Sequence, residues 1–344
     1  IFTTRPISFS DIPDSSKLPL SPPTRTTSSP RLPQDRADDV VGILASIVPS
    51  LPKILVEPDR VLAAASSISS NVLAPALRSK SFPDTFNRST LSLLHELSRL
   101  PLPGSSSSSG SGSSAGQKAP WRKDVSDAFN DPRFFSLRPL SLIPSSILPL
   151  IRQWCANDKE RMPELLSRLT PPSTAGIVFG VGATSARLEA DRKTQLNLRR
   201  IATLVLACPV DTFVSDLPAL IEKLTELLTA TATSSPSSTT RSDIYLLLRA
   251  LILRISAVHL APLWPVLNAE LHAALAAVVA PDHSVAADTY GCAALLGAAK
   301  LLDLLVCVAP EGWQVHEWLF VTDTIDAVYR AEGNGGLVAM VDEV

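Results

Sequence analysis

One pattern recurs along this chain: apolar side chains at three- and four-residue spacing, broken every few turns by proline. That spacing puts the apolar groups on one face of a helix. Proline lacks an amide donor and clashes inside a helix, so it is accepted at a first turn and stops the chain elsewhere. The 29 prolines therefore mark where helices begin and end. Helices are expected over residues 38–50, 57–77, 85–100 (with Asp84 as N-cap), 121–130, 140–157, 158–169, 185–207, 210–231, 241–256, 264–279, 283–309 and 311–329. No segment holds a sustained two-residue alternation, and 178–181 is too short to seed a sheet. The fold class is all-α, either an α-solenoid of the HEAT or armadillo kind or an irregular helical bundle. No sequence repeat of fixed period accompanies the helices, so a solenoid is an architectural analogy.

Composition shifts divide the chain. Residues 1–37 are dense in Pro, Ser and Thr and read as an extended or disordered arm. A small helical unit follows over 38–100, then a Ser/Gly-rich flexible linker over 101–120. The main helical domain is expected over 121–330, with a tail at 331–344. The chain opens at Ile1 rather than Met, which reads as a fragment of a longer protein.

Hydrophobic residues make up 45% of the chain and charged residues 19%, enough for a sizeable core; with aromatics at 5%, that core must be mostly Leu, Ala, Val and Ile. The 31 Lys and Arg nearly balance the 33 Asp and Glu, which excludes a globally basic nucleic-acid binder. Two apolar stretches, 201–210 and 292–309, come closest to membrane spans. The first falls short of the roughly 20 residues required, and the second carries Lys300 and Asp303 in its middle. Cys155, Cys208, Cys292 and Cys307 lie far apart, with no CxxC and no His at ligand spacing. No zinc site is recognisable, and the pattern favours a reducing compartment over a disulfide scaffold.

Catalytic signatures are missing too. Gly180-Val181-Gly182-Ala183-Thr184-Ser185 superficially resembles a dinucleotide loop, but the third glycine and the surrounding βαβ unit are lacking. None of the five histidines (His95, His259, His272, His283, His316) belongs to HExxH, and there is no GxSxG elbow or Walker loop. The sequence names no catalytic residue, cofactor or metal ligand.

The basic helix at 185–207 is more informative. Arg187, Arg192, Lys193, Arg199 and Arg200 outnumber Glu189 and Asp191 by three charges. Seven residues make almost two turns, so Arg192 stands over Arg199 and Lys193 over Arg200 in a stripe roughly 10 Å long. Such a stripe can hold a phosphorylated head group by charge-assisted hydrogen bonds. From the residues alone the favoured reading is a solvated face with Glu189 and Lys193 paired at i,i+4, because surface charge runs are common. Arg249 and Arg254 sit in an otherwise apolar helix, where structural pairing with Asp243, Asp303 or a helix C-terminus is favoured over ligand binding. Lys300 and Asp303 have the spacing of an i,i+3 pair, and Trp154, Trp264, Trp313 and Trp318 are expected to fill the core.

Several strings taken in order resemble the C-terminal region of the Dopey family of membrane-traffic proteins. They begin with Trp121-Arg122-Lys123-Asp124-Val125, Ala128-Phe129 and Phe134-Phe135, then Leu198-Arg199-Arg200-Ile201-Ala202. Leu247-Leu248-Arg249, Leu253-Arg254-Ile255-Ser256, His259-Leu260-Ala261-Pro262-Leu263-Trp264-Pro265 and Glu270-Leu271 follow. Ala299-Lys300-Leu301-Leu302-Asp303 and Trp318 complete the set, which covers about residues 121–326.

The resemblance implies a non-enzymatic scaffold at Golgi, trans-Golgi and endosomal membranes, of which this is the C-terminal end. It implies partners as well: a large scaffold related to Arf exchange factors, a phospholipid flippase and, in animals, kinesin-1. It also implies recognition of phosphatidylinositol 4-phosphate. Lys193, Arg199 and Arg200 then lead the candidates for a phosphoinositide contact, with Arg192 behind them. Arg122 and Lys123 beside Trp121 form a second basic site, and Arg249 and Arg254 match the family without separating core pairing from lipid binding. The alternative is a protein–protein or self-association module, such as a homodimer, without direct lipid binding.

Overall fold

A computed structural model describes residues 33–101, 119–138, 140–156, 160–170, 183–229, 237–279, 289–321, 329–331 and 337–339. The expected 1–32 portion of the arm, the Ser/Gly run, the Gly180–Gly182 loop, the 178–181 segment and most of the tail lie outside those residues.

The protein is all-α. Its helices are α1 (Pro33–Ile47), α2 (Leu51–Leu55), α3 (Pro58–Ile68), α4 (Ala74–Arg78), α5 (Arg88–Arg99), α6 (Pro120–Asn130), α7 (Leu148–Cys155) and α8 (Arg161–Ser167). They continue with α9 (Ala183–Ala207), α10 (Leu217–Leu228), α11 (Ser238–Arg254), α12 (Ala257–Leu260), α13 (Trp264–Val279), α14 (Cys292–Val308) and α15 (Gln314–Val321). The β structure among the described residues is one antiparallel hairpin, β1 (Tyr329–Ala331) with β2 (Leu337–Ala339), in which Arg330 pairs with Val338.

Proline sits in the first turn of many of these helices, including α3 and α6, where the missing amide costs no intrahelical bond. Several expected boundaries move: the first helix begins at Pro33, inside the 1–37 stretch expected to be an extended arm, and four other shifts have a local reason. Asp84 lies in a turn that folds Phe82 and Phe86 into the core; the cap of α5 is Asn87, whose side chain accepts from the Thr90 amide at 3.1 Å. The segment after α9 turns at Asp211, with φ of +62°, before α10 begins at Leu217. Gly291 is the extended N-cap of α14, so that helix starts at Cys292 rather than 283. The last expected helix ends by Val321 among the described residues, and Tyr329 opens the hairpin.

A row of neighbours, α7, α9, α11 and α14, forms the heart of the domain, with α8 beside α9 and α13 beside α14. Helix α11 is flanked by α9 and α14. Its contact with α14 is close because Gly297 faces Tyr245 and Ser242: a Cβ there would lie 2.8 Å from the Tyr245 ring. The core is Leu-rich, as the composition requires, and Trp154, Trp264 and Trp313 are buried in it. None of the four cysteines forms a disulfide.

Helices before residue 101 pack directly on those after 119. α5 meets α6 and α7, α3 and α4 meet α6, and their apolar faces share one hydrophobic cluster. Polar contacts reinforce this seam: Gln153 Nε2 donates to the Ser98 carbonyl at 2.6 Å, and Arg78 pairs with Asp127 at 2.8 Å.

Candidate functional site

Helix α9 carries the basic stretch, and the structure divides its cations by destination. Arg200 turns inward. Its Nε donates to the Phe129 carbonyl at 3.2 Å, Nη1 to Asn197 Oδ1 at 3.0 Å and Nη2 to the Asn130 carbonyl at 2.6 Å. It thereby satisfies two orphan carbonyls at the end of α6, which is why an arginine is tolerated in a buried position. Burial, and next the nearby Arg168 cation, hold its pKa below the ordinary arginine value.

Arg199 points the other way. Its Nε lies 2.9 Å from both carboxylate oxygens of Asp243 on α11, tying α9 to α11. Burial raises the Asp243 pKa above the usual carboxylate range, against the Arg199 hydrogen bond and charge that lower it. Asp243 is thus taken by Arg199 rather than by Arg249 or Arg254.

Arg192 and Lys193 remain exposed. Lys193 has a loose contact with Glu189 at 3.9 Å, and both side chains are well solvated. The seven-residue stacking is present in the backbone, but tertiary partners break the stripe into two outward and two engaged cations.

The outward pair borders a groove of about 840 Å³ between α9 and the end of α8. Arg168, Thr170, Arg192, Lys193, Asn197 and Arg200 line it, with Glu189 as its acidic member and Pro132 at one end. Asn197 Nδ2 donates to the Arg168 carbonyl at 3.2 Å, which fixes the end of α8 against α9. Arg168 itself pairs with Glu164 on its own helix and approaches Asn130 Oδ1 at 3.5 Å. Its cation and that of Arg200 repel one another, and an anion between them would relieve that repulsion. Sequence reasoning missed Arg168: it lies near the end of a short helix, and only folding brings it beside Arg200.

The other sequence candidates are placed as follows. Arg122 Nη2 donates to the Trp154 carbonyl at 2.7 Å and the Ala156 carbonyl at 3.3 Å, closing the end of α7, while Lys123 is exposed. Arg254 donates to the Cys208 carbonyl after α9, the helix-C-terminus pairing expected for it. Asp211 completes that clasp, accepting from the Ser256 amide at 2.7 Å and the Ser256 hydroxyl at 2.5 Å. Arg249 is half-buried, and its Nε is shielded from solvent without a hydrogen-bond partner. Lys300 makes no ion pair with Asp303 among the described residues; the Asp303 carboxylate lies instead 4.0 Å from Cys307 Sγ.

A buried polar cluster also went unread in the sequence. Glu270 on α13 accepts from Arg241 and, at 2.8 Å, from the Tyr245 hydroxyl of α11. The Arg241 guanidinium lies 4.7 Å from the Tyr290 ring centroid. Burial, then the Glu270 charge, push the Tyr245 phenol far above its ordinary pKa, so it stays a donor. Among the described residues no group of His, Cys, Asp and Glu is arranged to hold a metal, and no helix is long and apolar enough to cross a membrane.

The model of the DOP1 C-terminal family matches residues 14–344. The chain belongs to that family. Among DOP1 relatives, it is similar to protein dop1 of Emericella nidulans, with 43% identity over 345 residues covering all of this chain and 17% of that protein. It is 29% identical to protein DOP1 of Saccharomyces cerevisiae, over 53% of this chain and 10% of the relative. With protein DOP1B of Xenopus laevis it shares 30% identity, over 45% of this chain and 6% of the relative. The chain thus spans less than a fifth of the length of these DOP1 proteins. No solved structure matches it.

Proposed function

We propose that the chain is a non-catalytic C-terminal module of a membrane-traffic scaffold. In this reading it docks peripherally on the cytoplasmic face of Golgi, trans-Golgi and endosomal membranes by holding phosphatidylinositol 4-phosphate in the α8–α9 groove. Arg168, Arg192 and Lys193 contact the phosphates. Arg200, whose three donating nitrogens are occupied, supplies positive potential from beneath them. Arg199 positions α9 on α11 through Asp243. The Arf-exchange-factor-related scaffold, the flippase and kinesin-1 engage the much longer protein of which this is a small part.

The observation that carries the reading is the convergence of Arg168, Arg192 and Lys193 on one groove above the buried cation of Arg200. Each basic side chain near an anionic membrane surface contributes about 1 kcal/mol, so neutralising all three weakens binding roughly a hundredfold. The whole chain is the right material, because removing residues before 121 would delete α5 and uncover the faces of α6 and α7 on which its buried leucines pack. In liposome flotation, we expect capture by vesicles with phosphatidylinositol 4-phosphate, loss with Arg168→Ala/Arg192→Ala/Lys193→Ala, and weakening as salt rises. Flotation that the triple variant retains, or that vesicles with phosphatidylserine alone support equally, would overturn the reading.

A further inference from the structure

Arg249 stands apart from the other inward-turned arginines. Arg199 has Asp243, Arg200 has two carbonyls and Asn197, Arg241 has Glu270, and Arg254 has the Cys208 carbonyl. The Arg249 guanidinium has no hydrogen bond or ion pair among the described residues, although its Nε is shut off from water. A desolvated donor without an acceptor is unfavourable, and the terminal nitrogens, which reach solvent, leave the charge open to a partner. An anion approaching from outside would meet that charge.

The surroundings of Arg249 define what can approach. Asp243 points from α11 toward α9, while Ser242 and Tyr245 meet Gly297 of α14. At about 100° per residue, the directions to α9 and α14 differ by roughly 130° around the α11 axis. The sector between them is a trough with α11 as its floor and the two neighbours as walls. Leu246, Arg249 and Leu253 occupy that floor at i, i+3 and i+7. The leucines are 37% and 50% exposed, so both are open to solvent on the face that α9 and α14 flank. They stand about 10 Å apart along the axis, two turns of a helix.

We propose that this trough receives an amphipathic helix from a partner protein, with its apolar face on Leu246 and Leu253 and an Asp or Glu carboxylate on Arg249. A guest helix is about 10 Å across and presents side chains at the same i, i+3, i+7 spacing, so it fits along the α11 face between α9 and α14. A bilayer surface favours protruding groups, and here α9 and α14 stand on either side. Charge complementarity selects an acidic guest, because Asp243 is already neutralised by Arg199. The surface is separate from the phosphate groove, which lies where α9 faces α8.

The test is selection of a displayed library of amphipathic helical peptides, with randomised polar positions, against the whole chain. Counter-selection uses Leu246→Asp, a substitution at an exposed position that leaves the core intact. Recovered peptides should carry Glu or Asp between apolar residues. In fluorescence anisotropy their affinity should fall at least tenfold with Arg249→Ala and further with Arg249→Glu. A peptide with its Glu changed to Lys should bind Arg249→Glu within about threefold of the original pair, a rescue that a misfolded variant could not give. If Arg249→Glu does not fold, Arg249→Gln and Leu253→Lys provide the same contrast. Peptides indifferent to all these changes, or no peptides recovered, would sink the proposal. Loss of vesicle flotation in Arg249→Glu with no peptide dependence would do so in favour of a lipid surface.

Discussion

Replacing Arg241 by methionine would leave the Glu270 carboxylate among apolar helices without its cation. The two side chains are 5% and 8% exposed, so water cannot take the place of the lost partner. Removing one member of a buried pair costs about 3–5 kcal/mol, chiefly the desolvation of the charge left behind. Glu270→Leu should cost a similar amount, because the buried Arg241 then faces only apolar side chains and the Tyr290 ring. Arg241→Met/Glu270→Leu removes both charges and leaves the Tyr245 hydroxyl without its acceptor, a loss of about 1–3 kcal/mol. The double variant should therefore be more stable than either single one, with a coupling energy of about 3 kcal/mol or more. Urea unfolding at pH 7, followed by tryptophan fluorescence and linear extrapolation, reads all three values. Single variants within about 1 kcal/mol of the parent, or a double variant equal to the sum of the singles, would refute the reasoning. Either result would mean that the cluster is hydrated in solution and that α11 and α13 are held by apolar contact alone.

Two further predictions concern polar groups on α9 and in the turn that follows it. Arg200→Met strands the Phe129 and Asn130 carbonyls and should cost about 2–4 kcal/mol in unfolding free energy, whereas Arg192→Ala should stay within about 0.5 kcal/mol; the opposite order would reverse their assignment. Hydrogen bonds from the Ser256 hydroxyl, then from its amide, hold the Asp211 pKa below the usual carboxylate value. A depressed folded pKa contributes stability above the unfolded value, lost as pH falls through the folded one. Asp211→Asn should thus be destabilised at pH 7, with the gap closing in acid below about pH 4; thermal melts in which the gap stays constant with pH would contradict this.

The helices were legible because apolar periodicity and proline placement are local. Both act within one or two turns of chain, and the Leu-rich core and buried Trp154, Trp264 and Trp313 follow from the same pattern. Boundaries were less legible where a tertiary contact set them. Asp84 has the chemistry of a cap, but burial of Phe82 and Phe86 moves the N-cap of α5 to Asn87. Long-range pairing cannot be read at all from a one-dimensional pattern.

The same contrast runs through the candidate site. By itself the sequence determined that α9 is basic and that Arg192 and Lys193 stand one register from Arg199 and Arg200, because helical geometry fixes neighbours seven residues apart. It also determined that arginines in the apolar α11 need partners, because an unpaired buried cation is costly. Tertiary structure decided which partners they found. It sent Arg199 to Asp243, sank Arg200 beneath the end of α6 and brought Arg168 beside it. It left Arg249 without a hydrogen-bond or ion-pair partner among the described residues, beside the exposed Leu246 and Leu253. The reason is range: helix formation is settled by hydrogen bonds four residues apart, whereas a cation's partner is set by whichever chain folding places within a few ångströms.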